Sequence, residues 1–460
     1  MADKHYSRRE FIRQNSLAGA GAILASGLAP AVFASGRRQA SVPALLGGSP
    51  AANFNWPHWP MWNPETDEKL LLESVRSGVW SRQKIVSQFE KEWANAAGAK
   101  RCLTVVNGTN ALIVSLIQLG IGAGDEVIVP PYTYIASPQS ILVTGAIPVF
   151  VDTDPVTFQI DPTKIEAKIT SRTKAIMPVH LGGFPADMKQ IMAIARKHNL
   201  IVIEDACQAH LAEYNNQKVG TFGHAGCFSF QNSKNLPIGE GGAIVSNDDQ
   251  FIDRCHSYHN LGFPYGTTIG SVSSGATLLG NKLRLTEYQA AIGLAQLKRL
   301  DSQTTTRTTN AEYLSSKLRQ IPGILPIQAY PETTRAVYHL YCFRYKKEEF
   351  KGLSRDAFIK AMDAEGVSCY GGYTQLNLMP FIKDAFQTKN FVRTYSKKRL
   401  NYATYLEHNQ CPQNDILCNE EAVWFNQRFF LTGKPEMDAI YNAIEKIHSN
   451  AERLKNADSK

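Results

Sequence analysis

One lysine stands where it could do carbonyl chemistry. In CFSFQNSKNLPIGEGGAIVSND, residues 227 to 248, Lys234 lies between two short apolar runs, 227–230 and 242–246. Both runs read as buried strands. That puts Lys234 on a loop at a strand end, the place where open α/β sheets bind ligands. Held among small and apolar residues, an amine there sheds its proton more easily and can attack a carbonyl. The ordinary alternative is a solvated surface lysine, in a chain with 49 Lys and Arg residues.

Three other segments end strand-like runs with polar groups. In VVNGTNAL, Asn107, Gly108 and Thr109 open a helix, so free N–H groups and the Thr109 hydroxyl could hold a phosphate, although Gly-Thr also serves simple capping. In VPPYTYIAS, Tyr134 could cover a flat ring or merely pack. In LIVIEDACQAH, Asp205 follows an apolar run, and a buried carboxylate needs a partner. One ligand satisfies all four features: pyridoxal phosphate. Lys234 would form a Schiff base with its aldehyde, Thr109 and neighbouring donors would take its phosphate, and Asp205 would pair with the protonated ring nitrogen. That pairing lets the ring act as an electron sink. Once an amino donor has displaced it, Lys234 would move a proton as general base and acid, a role that needs the neutral amine.

The surrounding chain must supply a sheet whose strand ends converge. Apolar runs at 103–106, 126–129, 148–151, 175–179 and 201–204, together with the two around Lys234, alternate with helical patterns such as 111–119 and 188–198. The alternation predicts a largely parallel sheet with helices on both faces, an α/β fold. The 460 residues, 43% hydrophobic and 20% charged, suffice for two globular domains. We read residues 54–285 as an N-terminal arm and large domain, 286–320 as a long connecting helix ended by Pro322-Gly323, and 321–460 as a smaller α+β domain. The net charge of +8 is spread along the chain without a basic run, which argues against nucleic acid as a partner.

The N-terminus reads as an address. SRREFIRQNSLAGAGAILASGLAPAVFASG carries paired Arg8 and Arg9, then Phe11, then a moderately apolar stretch ending in Val32-Phe33-Ala34. Residues 1–34 have the form of a twin-arginine signal, with 35–53 as a flexible linker. The twin-arginine machinery exports folded proteins, so a periplasmic or otherwise exported location is expected, membrane-anchored if the signal stays attached. Eight cysteines form no Cys-x-x-Cys pair, and only Cys411 and Cys418 are close enough among the late ones to suspect of a disulfide. FNWPHWPMWNP, residues 54–64, reads either as a carbohydrate-stacking platform of three tryptophans or, more commonly, as an extended arm packed on its own domain or a partner.

The motifs SGVWS at 77, NGTNAL at 107, PPYTYIAS at 130, PVHLGGFPADM at 178, EDACQAH at 204, FSFQNSKNLPIGEGG at 228, RLTEYQAAIGLAQLKRLD at 284 and YHLYCFRY at 338 together resemble the DegT/StrS family of pyridoxal-phosphate-dependent sugar aminotransferases. The resemblance covers nearly the whole chain after residue 53. It implies a type I aminotransferase fold and a homodimer with active sites at the subunit interface. It makes Lys234 the Schiff-base lysine, Asp205 the ring-nitrogen partner and Gln208 a neighbour of the ring. Gly108, Thr109, Asn110 and Ser229 match the phosphate site, and Tyr134 the aromatic that stacks on the ring.

Where many members read Gly-x-Asn-Tyr-Arg, with the asparagine reaching the partner subunit's cofactor phosphate, this chain reads GNKLRL and puts Lys282 there, or leaves the task to Asn281. The Ser-Lys-Asn-Leu form around Lys234 is more similar to the branch that aminates keto-inositols and makes aminohydroxybenzoate. Together with export away from cytoplasmic sugar nucleotides, it points to an unactivated oxo-sugar or oxo-cyclitol as acceptor, with glutamate or glutamine as the donor that the resemblance implies. His180 and His339 could face the acceptor or be structural. Two other classes share the constellation: a lyase or dehydratase using pyridoxal phosphate, and a protein that binds the cofactor without turnover. The family's dehydratases carry histidine in place of the lysine, so Lys234 counts against the first.

Overall fold

A computed structural model describes residues 41–267 and 275–458. The expected signal at 1–34 therefore lies outside the described residues. At the centre is a seven-stranded sheet of β1 (Arg101–Val105), β2 (Glu126–Val129), β3 (Ile147–Phe150), β4 (Thr173–Ile176), β5 (Ile201–Asp205), β6 (Ala225–Ser229) and β7 (Gly242–Ser246), in the order β1-β7-β6-β5-β4-β2-β3. β2, β3, β4, β5 and β6 pair in parallel, whereas β7 runs antiparallel to both its neighbours. Burial on both faces explains why β2, β6 and β7 read as continuous rather than alternating apolar runs. β4 ends at Ile176, short of the expected 179, because Pro178 has no N–H to give the ladder. The chain resumes contact at a single bridge between Val179 and Asp205.

Helices α1 (Pro64–Arg76), α2 (Lys84–Ala96), α3 (Gly108–Gln118) and α4 (Met188–His198) belong to this large unit, and α5 (Glu287–Leu318) is the long helix that the periodicity predicts. Its start is marked by Thr286, whose backbone N–H donates to Gln289 Oε1 at 3.3 Å. Beyond it, β8 (Ile324–Pro326), β9 (Leu340–Tyr345) and β10 (Ala422–Asn426) form a small antiparallel sheet around an aromatic core of Tyr341, Phe343, Phe425 and Phe430.

The tail end of the chain is not one separate unit. Leu376, Ile382, Phe386, Phe391 and Tyr405 bury in the same apolar cluster as β1 and β2, and Tyr405 Oη donates to the Pro148 carbonyl at 2.8 Å. Scattered aromatics in 376–411 found a ready apolar surface on the large domain, and no local pattern announces such a long-range choice.

Residues 41–53, read as a flexible linker, are instead clamped. The amides of Ala44 and Ala51 donate to the two oxygens of Glu365, each at 2.8 Å, and the buried Lys446 ammonium bridges Glu365 at 2.7 Å and the Ser49 carbonyl at 2.7 Å. The tryptophan-rich stretch is an arm on its own chain. Trp56 packs at a tilt against Phe429, ring centroids 4.3 Å apart, and donates to the Gly366 carbonyl, Trp59 lies under the Arg307 guanidinium, and the Met61 carbonyl accepts from Gln296 and Arg299. All eight cysteines are free thiols; Cys411 and Cys418 donate to the Asn409 carbonyl and to Asn414 rather than to each other.

Candidate active site

The strand ends converge on a cavity of about 490 Å³. β1 leads to Asn107, Gly108 and Thr109; the loop after β2 supplies Thr133 and Tyr134; β5 ends in Asp205; β6 ends in Ser229; and the turn between β6 and β7 carries Lys234. These come from carboxyl ends of parallel strands, where a sheet leaves a crevice. The Lys234 turn is tied down by Phe230 and Ile238, whose amides donate to the Gly241 and Phe230 carbonyls, each at 2.8 Å.

Burial pulls the Lys234 ammonium below its ordinary value, with the nearby Asp205 acting in the opposite sense. Asp205 is 5% exposed, and each of its oxygens has one fixed donor: Ser137 Oγ at 2.7 Å and the Cys207 amide at 3.2 Å. Gln208 is committed at both ends. Its Oε1 accepts from the Gly182 amide and its Nε2 donates to Tyr373 Oη, both at 2.8 Å.

At the opposite wall, Asn107 caps α3 by accepting from the Asn110 amide at 2.8 Å, which leaves the Gly108 and Thr109 amides and the Thr109 hydroxyl without partners among the described residues. Gly108 is required: a Cβ there would lie 2.8 Å from Cys207 Sγ and 2.8 Å from Ser229 Cβ. The anion-ready helix end, the Ser229 hydroxyl, the amine of Lys234 and the buried carboxylate make a set that fits pyridoxal phosphate: phosphate at α3, aldehyde at Lys234, ring nitrogen at Asp205.

Two expected residues stand outside the cavity. Asn110 turns its side-chain amide back onto Asn107 Oδ1 at 3.0 Å, so it shapes the turn. Lys282 lies on an exposed segment bridged to Asn260, away from the cavity of its own chain. Of the two histidines, His339 lines the cavity, and burial first, then the Lys234 charge, keeps it neutral. His180 is structural, held between Glu204 at 3.0 Å and the Ala186 amide at 3.0 Å. Tyr373, Trp424, Leu340 and Glu240 also line the cavity. Leu340, Tyr373 and Trp424 arrive from more than a hundred residues downstream of Lys234; Leu340 belongs to the YHLYCFRY motif, whereas Tyr373 and Trp424 sit on segments with no motif to mark them.

The family model for the DegT/DnrJ/EryC1/StrS aminotransferase family matches residues 63–408. The GDP-perosamine synthase of Caulobacter vibrioides is 40% identical over 299 residues, covering 65% of this chain and 78% of that protein. The L-glutamine:2-deoxy-scyllo-inosose aminotransferase of Streptoalloteichus tenebrarius is 34% identical over 419 residues, covering 88% of this chain and 97% of that protein. The crystal structure of 3-amino-5-hydroxybenzoic acid synthase superposes with a TM-score of 0.74 at 31% identity, covering 87% of this chain and 99% of that one. Fold and site thus define a pyridoxal-phosphate-dependent aminotransferase with the type I fold. The chain belongs to the DegT/DnrJ/EryC1/StrS aminotransferase family.

Proposed function

We propose that the protein moves an amino group from glutamine or glutamate to an oxo-cyclitol or oxo-sugar that carries no nucleotide. The observation that carries this reading is the cavity's charge inventory: Lys234 is the one cation among its described lining residues, beside the carboxylates Asp205 and Glu240. Lys234 is taken up by the cofactor, so a nucleotide diphosphate would meet no further cation among the described lining residues of this chain, whereas a neutral polyol meets hydroxyls, amides and aromatic faces. The glutamine donor and cyclitol acceptor in the name of the Streptoalloteichus relative support the same choice.

When bound, the cofactor supplies an aldehyde and an electron-withdrawing ring. Lys234 holds it covalently, then shuttles a proton as base and acid. Asp205 keeps the ring nitrogen protonated, held in place by Ser137. Gln208 would lie beside the ring, Tyr134 would cover it, and Gly108, Thr109 and Ser229 would hold the phosphate. In the homodimer, Lys282 reaches the partner subunit's phosphate as a point charge. Export through the twin-arginine route would carry the enzyme to the periplasm or otherwise out of the cytoplasm, membrane-anchored if the signal stays attached.

The test is the visible absorbance band of the lysine-linked cofactor in purified protein. Addition of glutamine or glutamate bleaches the band, and a following oxo-cyclitol restores it. A band that ignores every amino donor would refute the transfer reaction.

A further inference from the structure

Two aromatics from the C-terminal part of the chain, Tyr373 and Trp424, line the same cavity as Lys234 and are not among the residues assigned to the cofactor. Trp424, on β10, is locked by backbone bonds on both sides: its strand partner is Cys342, and it exchanges two hydrogen bonds with Tyr370 at 3.0 and 3.1 Å. Tyr373 packs edge-on against it, ring centroids 4.7 Å apart and planes at 88°. Gly372, at φ 87°, makes the turn that delivers Tyr373, and a Cβ there would meet Tyr132 Oη at 2.4 Å.

Neither aromatic is saturated. Tyr373 Oη accepts from Gln208, yet its own hydrogen has no acceptor among the described residues. The Trp424 indole N–H likewise has none, although Trp424 lines the cavity. Glu240 and neutral His339 supply acceptors nearby. An apolar face flanked by neutral donors and by acceptors complements a ring with C–H bonds on its faces and hydroxyls around its edge.

Resting on the acceptor class proposed above, we propose that Tyr373 and Trp424 form the acceptor subsite and bind a six-membered polyhydroxylated ring, Trp424 by its face and Tyr373 by a donated hydrogen bond. The bond from Gln208 to Tyr373 then links this subsite directly to a residue beside the cofactor ring.

The holoenzyme, with glutamine as donor and 2-deoxy-scyllo-inosose as acceptor probe, provides the test. In Tyr373→Phe the KM for the acceptor should rise about tenfold, the loss of one hydrogen bond, while the KM for glutamine moves less than about threefold. Trp424→Leu should raise the acceptor KM further, again with the larger change on the acceptor side. Retention of the cofactor band certifies folding, and Tyr373→Phe decides the matter if Trp424→Leu does not fold, because it keeps the ring packing. An acceptor KM that stays put, or that moves in step with the donor KM, overturns the subsite while leaving the transfer reaction standing. A wild type that aminates a GDP-linked keto-hexose and ignores the cyclitol overturns the acceptor class, and the subsite with it.

Discussion

Ser137 Oγ lies 2.7 Å from Asp205 Oδ2 and donates to it, across 68 residues of sequence. The carboxylate proposed to pair with the cofactor's ring nitrogen is thus held by a neutral hydroxyl. Ser137→Ala should cost roughly tenfold in kcat/KM, and Asp205→Ala about a hundredfold or more, since only the second removes the charge. Steady-state kinetics with saturating cofactor will separate them; equal losses would contradict a positioning role for Ser137.

Lys234→Ala should abolish the cofactor's lysine-linked absorbance band and reduce turnover by at least about a thousandfold, because covalent attachment and proton transfer are both lost. Circular dichroism should be unchanged, as removing a buried amine relieves a desolvation cost.

Gly108→Ala places a methyl group 2.8 Å from Cys207 Sγ and Ser229 Cβ, at the start of α3. Overpacking of this kind costs about 1–3 kcal/mol. The apparent affinity for pyridoxal phosphate, read by titration of the absorbance band, should fall about tenfold or more.

Burial, helped by the Lys234 charge, lowers His210 to about 3, and its Nε2–H donates to the Ser229 carbonyl at 2.9 Å. Burial likewise lowers His256 to about 4. Both stay neutral in the folded protein while the unfolded chain takes up protons below about pH 6.5. The unfolded state therefore binds more protons between that value and the folded ones, so stability falls as pH drops through this window, by about 1.4 kcal/mol per pH unit for each histidine. Urea midpoints between pH 7 and 4 should show this slope, and His210→Phe should flatten it.

Glu365 is 0% exposed and joins Lys446 to the amides of Ala44 and Ala51. Glu365→Ala leaves a buried ammonium unpaired, which typically costs about 3–5 kcal/mol. Chemical denaturation should register that loss, and limited proteolysis should then cut within residues 41–53.

The chemistry was readable in the chain because it sits at strand ends. Apolar runs that stop at Asn107, at Asp205 and before the Lys234 turn place their polar residues at one edge of any parallel sheet they form, whatever the details of packing, whereas Ser229 lies inside such a run and was marked only by the family resemblance. The same logic made β2, β7, α4 and the long α5 legible, since each carries its own periodicity or caps. Local pattern could not say that Asn110 would bend back on Asn107, because a capping turn and a phosphate-binding turn use the same residues. Nor could it show that residues 41–53 would be clamped by Glu365, or that 376–411 would return to the large sheet, since those contacts span hundreds of residues and rest on complementarity of shape and charge. Tyr373 and Trp424 reach the cavity by the same route: the small sheet sets the backbone of Trp424, the turn at Gly372 that of Tyr373, and only tertiary packing brings both into the cavity with Lys234. The chain's own order determined the reacting groups; tertiary packing decided what closes over them, because closure depends on surfaces that exist only after folding.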